Sequence, residues 1–241
     1  MPSRAERSAQ ATYVLIHGAY HGGWCWRHVT PLLSQAGHAV HAPDLPGHGA
    51  GDEGRQVTLD DYVEAVCAEL RRIESPVVLV GHSMAGVVIA AAAEREPERI
   101  RRLVFVTAYL PADGQSLADL ARADTDSLVR VTRSGAFVSV REDTLVPAFY
   151  GASPAEDVAF ARARLVAQAV APMTAPVRLT PARFGRTPKV YIGCGRDRAI
   201  TPALQRRMRT AAGCDRTIEL DCDHSPFFSG PRALADALMA V

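Results

Sequence analysis

The run Pro76-Val-Val-Leu-Val-Gly-His-Ser-Met-Ala-Gly86, followed by small residues from Val87 to Ala93, constrains this chain more than any other stretch. Four consecutive apolar residues, Val77 to Val80, between a proline and a glycine predict a short strand buried on both faces of a parallel sheet. The small-residue run from Met84 onward predicts a helix. Between them, Gly81-His-Ser-Met-Ala85 fits the pattern G-x-S-x-G, with alanine in the last place. Such a turn crowds helix against strand and tolerates only tiny flanking residues. It strains the serine backbone so that the hydroxyl projects at the carboxyl edge of the sheet. The free N–H groups and positive dipole end of the helix meet it there, where they favour a developing oxyanion.

The rest of the chain alternates strand and helix around this turn. Thr12 to Ile16 is a predicted strand that runs into His17-Gly-Ala-Tyr-His-Gly-Gly-Trp24, a loop whose glycines allow backbone amides close to a ligand. Val29 to Gln35 reads as a helix ended by Gly37, and His38 to His41 as the next strand. In the turn-rich loop after it, Asp44 and His48 are chemically tempting, but an aspartate among prolines and glycines is expected to cap a turn. Thr58-Leu-Asp-Asp61 has the form of a capping box, and the helix it opens places Tyr62, Val63, Val66, Cys67, Leu70 and Ile73 on one face. Arg101 to Val106 adds a strand.

This alternation predicts an α/β fold, with a mostly parallel, doubly wound sheet covered on both sides. Residues 1–108 and 186–241 form its core as a single domain. Between them, residues 109–185 show short periodic segments, a hairpin around Arg133-Ser-Gly-Ala136, a helix from Pro154 to about Val170, and no strong buried strand. No linker sets this stretch off, so it is expected to be an inserted, mainly helical cap over the carboxyl edge of the sheet. Regular order resumes with strands at Pro188 to Ile192 and Thr217 to Leu220. Thr201 caps a helix with Pro202 at its first position, and Pro231 to Met239 closes the chain as a helix.

Ser83, Asp197 and His224 stand in that order, each just beyond a predicted strand. In a parallel sheet their loops emerge at one edge, so they can meet as nucleophile, orienting carboxylate and base. The serine hydroxyl needs a base to take its proton, and histidine can take and return one near neutral pH. Asp221 and Asp223 are the rival carboxylates, too near His224 in sequence to reach behind its ring easily. Backbone amides of Ala19 and Met84 are the candidate oxyanion donors. The neighbours His17, Gly18, Tyr20, His82, Tyr109 and Ser225 are candidate substrate contacts. His17 and His21 are spaced i, i+4, but glycines exclude a metal-bearing helix there and no third ligand is evident, so no metal is expected.

These motifs, with Tyr191-Ile-Gly-Cys-Gly-Arg-Asp197 and Asp223-His-Ser-Pro-Phe-Phe-Ser229, resemble the α/β-hydrolase branch of plant methylesterases, hydroxynitrile lyases and similar bacterial esterases. The resemblance spans about Tyr13 to Leu238. It implies the α/β-hydrolase fold, a cofactor-free serine hydrolase with a lid, and Ser83, Asp197 and His224 as its catalytic triad. The lyases of this branch carry threonine after the first-loop histidine and lysine after the catalytic one. This chain has Gly18 and Ser225 there, which favours hydrolysis of a small to medium, fairly apolar ester. A base-catalysed elimination or cyclisation at the same site is the alternative, and a ligand receptor a further one.

Lys+Arg 27 against Asp+Glu 26 leaves a net charge of +1, which removes the electrostatic case for nucleic acid or an anionic membrane as partner. A small-molecule substrate is the expected partner. The polar start, Met1 to Gln10, precedes only a five-residue apolar segment, too short for a signal-peptide core or a span. Five scattered cysteines suit reduced thiols, so the expected compartment is the cytoplasm.

Overall fold

Val77–His82 forms a strand buried at every residue, at the centre of a six-stranded parallel sheet in the computed structural model, which describes residues 10–241. In chain order the first half comprises β1 (Thr12–Ile16), α1 (Val29–Gln35), β2 (Ala39–His41), α2 (Leu59–Arg72), β3 (Val77–His82), α3 (Ala85–Arg95) and β4 (Ile100–Val106). The expected polar start, except Gln10, lies outside the described residues.

Strand order is β2-β1-β3-β4, continued by β8 (Lys189–Cys194) and β9 (Arg216–Leu220). The step from β1 to β2 runs one way, and that from β2 to β3 crosses back over β1. Right-handed crossovers therefore put α1 and α2 on opposite faces. The last helix, α10 (Pro231–Met239), packs beside α1, and α3 packs beside α2, so both faces are covered. The order reverses between β1 and β3, and a crevice opens beyond their carboxyl ends.

The helices form where the residue pattern supports them. Thr58 Oγ1 accepts from the Asp61 amide at 3.2 Å and Asp61 accepts from the Thr58 amide at 2.7 Å, the reciprocal capping box that starts α2. Its buried face is Leu59, Tyr62, Val63, Val66, Cys67 and Leu70. Burying each of the larger aliphatic side chains contributes about 1.5–3 kcal/mol relative to exposure. Thr201 likewise caps α8 (Pro202–Ala211) through the Leu204 amide at 3.3 Å.

Between β4 and β8 lie α4 (Leu117–Arg122), β5 (Val131–Ser134), β6 (Phe137–Val140), α5 (Glu142–Phe149), α6 (Ala155–Arg162), β7 (Gln168–Ala169) and α7 (Ala171–Thr174). The hairpin β5–β6 turns at Gly135, whose φ of +58° lies in the left-handed region, and β7 joins it in a three-stranded antiparallel sheet. The helix expected from Pro154 to about Val170 stops at Arg162. Beyond it the Val166 amide donates to Tyr20 O at 3.0 Å, and Gln168 pairs with Val138 of β6. These contacts outbid local helix propensity. A one-turn helix, α9 (Pro226–Ser229), precedes α10. Among the described residues no helix is long and apolar enough to cross a membrane.

Candidate active site

Ser83 sits at φ +53°, a left-handed conformation that costs a non-glycine residue about 1–3 kcal/mol. The turn holds it there because the Ser83 carbonyl accepts from the Gly86 and Tyr109 amides, both at 3.1 Å. A Cβ on Gly86 would lie 1.9 Å from Tyr109 O, so only glycine lets α3 start against the end of β4. Ala85, the departure from the G-x-S-x-G pattern, is fully buried in the first turn of α3.

Three sheet-edge side chains meet at this turn. His224 Nε2 lies 3.0 Å from Ser83 Oγ, and His224 Nδ1 lies 2.7 Å from Asp197 Oδ2. A carboxylate only accepts, so Nδ1 carries the proton and Nε2 is left to accept from the serine hydroxyl. Asp197, fully buried, takes five donors: the Ala199 and Ile200 amides at 2.7 and 2.9 Å, His224, Gln205 Nε2 at 3.4 Å, and the Thr107 hydroxyl. Such a shell fixes the orientation of the carboxylate.

The rival carboxylates are engaged elsewhere. Asp223 accepts from the Ser225 and Ala152 amides and from the Ser153 and Ser229 hydroxyls, all within 2.9 Å, and so ties the His224 loop to the cap. Asp221 pairs with Arg196 at 3.0 Å. Asp44 accepts from the Gly23 amide at 2.7 Å.

A cavity of about 300 Å³ opens over Ser83 and His224. Ala19, Tyr20, Met84 and Tyr109 line it, with an apolar wall that includes Leu117, Val129, Phe149 and Met173. Among the described residues, the amides of Ala19 and Met84 have no acceptor within the protein. Burial raises the pKa of both the Tyr20 and Tyr109 phenols, which therefore stay protonated donors.

Four expected substrate contacts, His17, Gly18, His82 and Ser225, do not line this cavity, because each is packed beneath it. His17 Nε2 accepts from the Leu45 amide at 2.9 Å, leaving Nδ1–H to donate to Gly18 O at 2.8 Å. His82 Nε2–H donates to His224 O at 2.8 Å, bracing the loop that bears the base. Desolvation holds the pKa of both rings well below the ordinary value, so they are neutral. Ser225 donates its amide to Asp223. Gly18 passes so close to the elbow that a Cβ would lie 2.8 Å from that of Ser83.

Of the cap arginines, only Arg130 reaches the cavity. Arg162 pairs with Glu142 at 2.6 Å, Arg164 stacks 3.8 Å from the Phe160 ring centroid, and Arg133 donates to Gly135 O. No group of three or more His, Cys, Asp or Glu is placed to hold a metal ion among the described residues. Sequence reasoning missed Thr107 and Gln205, which hold Asp197. Thr107 stands one residue past β4, at the same edge as the three meeting side chains, and that position was a usable signal.

A family model described as the alpha/beta hydrolase family matches residues 13–237. The chain belongs to the alpha/beta hydrolase family. It is 32% identical to Methylesterase 9 of Arabidopsis thaliana, over 95% of this chain and 97% of that one. It is 31% identical to a pyrethroid hydrolase of Sphingobium wenxiniae, over 93% and 85% of the two chains. The crystal structure of polyneuridine aldehyde esterase superposes with a TM-score of 0.85 at 26% identity, covering 96% of this chain and 98% of that one.

Proposed function

We propose that this alpha/beta hydrolase is a carboxylic-ester hydrolase that works through an acyl-serine intermediate on small to medium, fairly apolar esters. The observation that carries this reading is the line Ser83 Oγ, His224 Nε2, His224 Nδ1, Asp197 at 3.0 and 2.7 Å, beside two unpaired amides at the floor of a cavity. In the first half-reaction His224 takes the Ser83 proton as Oγ attacks the ester carbonyl carbon. The carbonyl oxygen becomes an oxyanion received by the Ala19 and Met84 amides, while Asp197 stabilises the imidazolium. Collapse expels the alcohol, which takes the proton from His224. Water then repeats the sequence on the acyl-serine and releases the acid.

Relatives named methylesterase and pyrethroid hydrolase support ester chemistry. The apolar wall and a volume at the low end for ligand pockets support a compact substrate with little charge. All five cysteines are free thiols, four of them buried, which fits a reducing compartment and supports a cytoplasmic location.

Hydrolysis of a short p-nitrophenyl ester series tests the reading. Ser83→Ala is expected to lower kcat by about 10⁶, because members of such a unit are not additive. Near-normal turnover by that variant would overturn it.

A further inference from the structure

All four carbonyls from Gly18 to His21 are engaged. Gly18 O accepts from His17 Nδ1 at 2.8 Å and Ala19 O from His21 Nδ1 at 2.8 Å. Tyr20 O accepts from the Val166 amide at 3.0 Å, and His21 O from His48 Nδ1 at 2.6 Å. A trans peptide is planar, with N–H and C=O pointing in opposite directions. The donor on Gly18 O therefore aims the Ala19 N–H, and the donor on Ala19 O fixes the next peptide plane. The dihedrals of Ala19 are thus clamped from both sides.

The second clamp is tied to the cap. A carbonyl only accepts, so His21 Nδ1 bears the proton, and Nε2 accepts from the Tyr150 hydroxyl at 2.7 Å. Tyr150 closes α5 and is fully buried. Desolvation lowers the His21 pKa to about 4, which keeps the ring in this neutral form. Trp24 stacks on the His21 ring at 5.3 Å between centroids, and Phe227 meets it edge-on at 5.8 Å. The His21 carbonyl leads to the cap as well. His48 Nε2 accepts from Tyr62 OH at 3.0 Å, which in turn accepts from Gln168 of β7 at 3.0 Å.

We infer that His21 is a positioning residue for the Ala19 amide, and that Tyr150 makes this placement conditional on the cap being seated. The inference rests on the esterase reading, in which that amide receives the oxyanion. The chain Tyr150 to His21 to Ala19 O transmits the position of α5 to a donor whose use is confined to the transition state. Its loss should therefore fall on kcat and leave KM almost unchanged.

Four variants separate this role from plain packing. Asparagine at position 21 can present a donor where Nδ1 stands and cannot reach Tyr150. Glutamine reaches toward Tyr150 and loses the donor to Ala19 O. We expect H21Q to lower kcat about a hundredfold, the scale of a misplaced oxyanion donor, with KM within about twofold. H21N and Y150F should each lose about tenfold. The H21N/Y150F double variant should lose no more than either, since both cut the same chain. Rates of Ser83 labelling by a fluorophosphonate, whose phosphoryl oxygen occupies the same hole, should fall in the same order.

Equal loss in H21N and H21Q, or a raised KM at constant kcat, would overturn the inference. A wild type that hydrolyses esters beside variants indistinguishable from it would sink this inference and spare the esterase reading. A wild type that is labelled but hydrolyses no ester would sink the esterase reading, and the labelling order would still decide the role of His21. Y150F differs by one oxygen and keeps the test open if a His21 variant fails to fold.

Discussion

The geometry of single residues sets what the elbow tolerates. Gly18 is a close case beside Ser83 itself, because an added Cβ would lie 2.8 Å from Ser83 Cβ and 2.9 Å from His82 Nδ1, so one of the neighbours must shift. Gly18→Ala is expected to lower kcat at least tenfold with KM nearly constant, read from steady-state kinetics, because it shifts the serine against its base by a few tenths of an ångström. Unchanged kinetics would show that the loop yields. The positions of Ser83, Asp197 and His224 were legible in the sequence, since each follows a strand with an apolar run and the sheet brings those ends together. Gln205 and Tyr150 were not. A lone polar side chain carries no periodic signal, and its partner is fixed only by tertiary packing.

At the scale of elements, legibility followed the strength of the local pattern. The helix α2 announces itself through a capping box and a continuous apolar face, and both are formed. Thr58→Ala removes an N-cap and is expected to cost about 1 kcal/mol, measured by urea denaturation, with catalysis untouched. A cost near zero would show that tertiary packing alone fixes the start of α2. The segment after α6 obeyed a different logic. Leu165 and Val170 continue a plausible helical spacing, yet the Val166 amide and the Gln168 backbone are claimed by the first loop and by β6. Those partners are distant in sequence, so the end of α6 and the existence of β7 could not be read locally. Of the cap's apolar side chains, Leu117, Val129, Phe149 and Met173 face the cavity. Phe160 instead lies between the guanidinium groups of Arg27 and Arg164.

At the scale of the whole molecule, the buried histidines make stability depend on pH. Desolvation lowers the pKa of His17, His21 and His82 below 6.5 in the folded state. Their stabilising effect is complete above that unfolded value. It is lost as pH falls below 6.5, because the unfolded chain then binds protons that the native one refuses. Each group contributes a slope of up to about 1.4 kcal/mol per pH unit. Urea midpoints are therefore expected to drop steeply between pH 7 and pH 5, and a flat profile would contradict neutral burial of these rings.

The same architecture converges on one reactive atom, and intact-mass spectrometry after fluorophosphonate treatment tests that convergence most directly. A single adduct that maps to Ser83, absent from the Ser83→Ala variant and lost with His224→Ala, is the expected result. No adduct on the folded wild type, or an adduct elsewhere while esterase activity persists without Ser83, would contradict the assignment of Ser83 as the activated nucleophile.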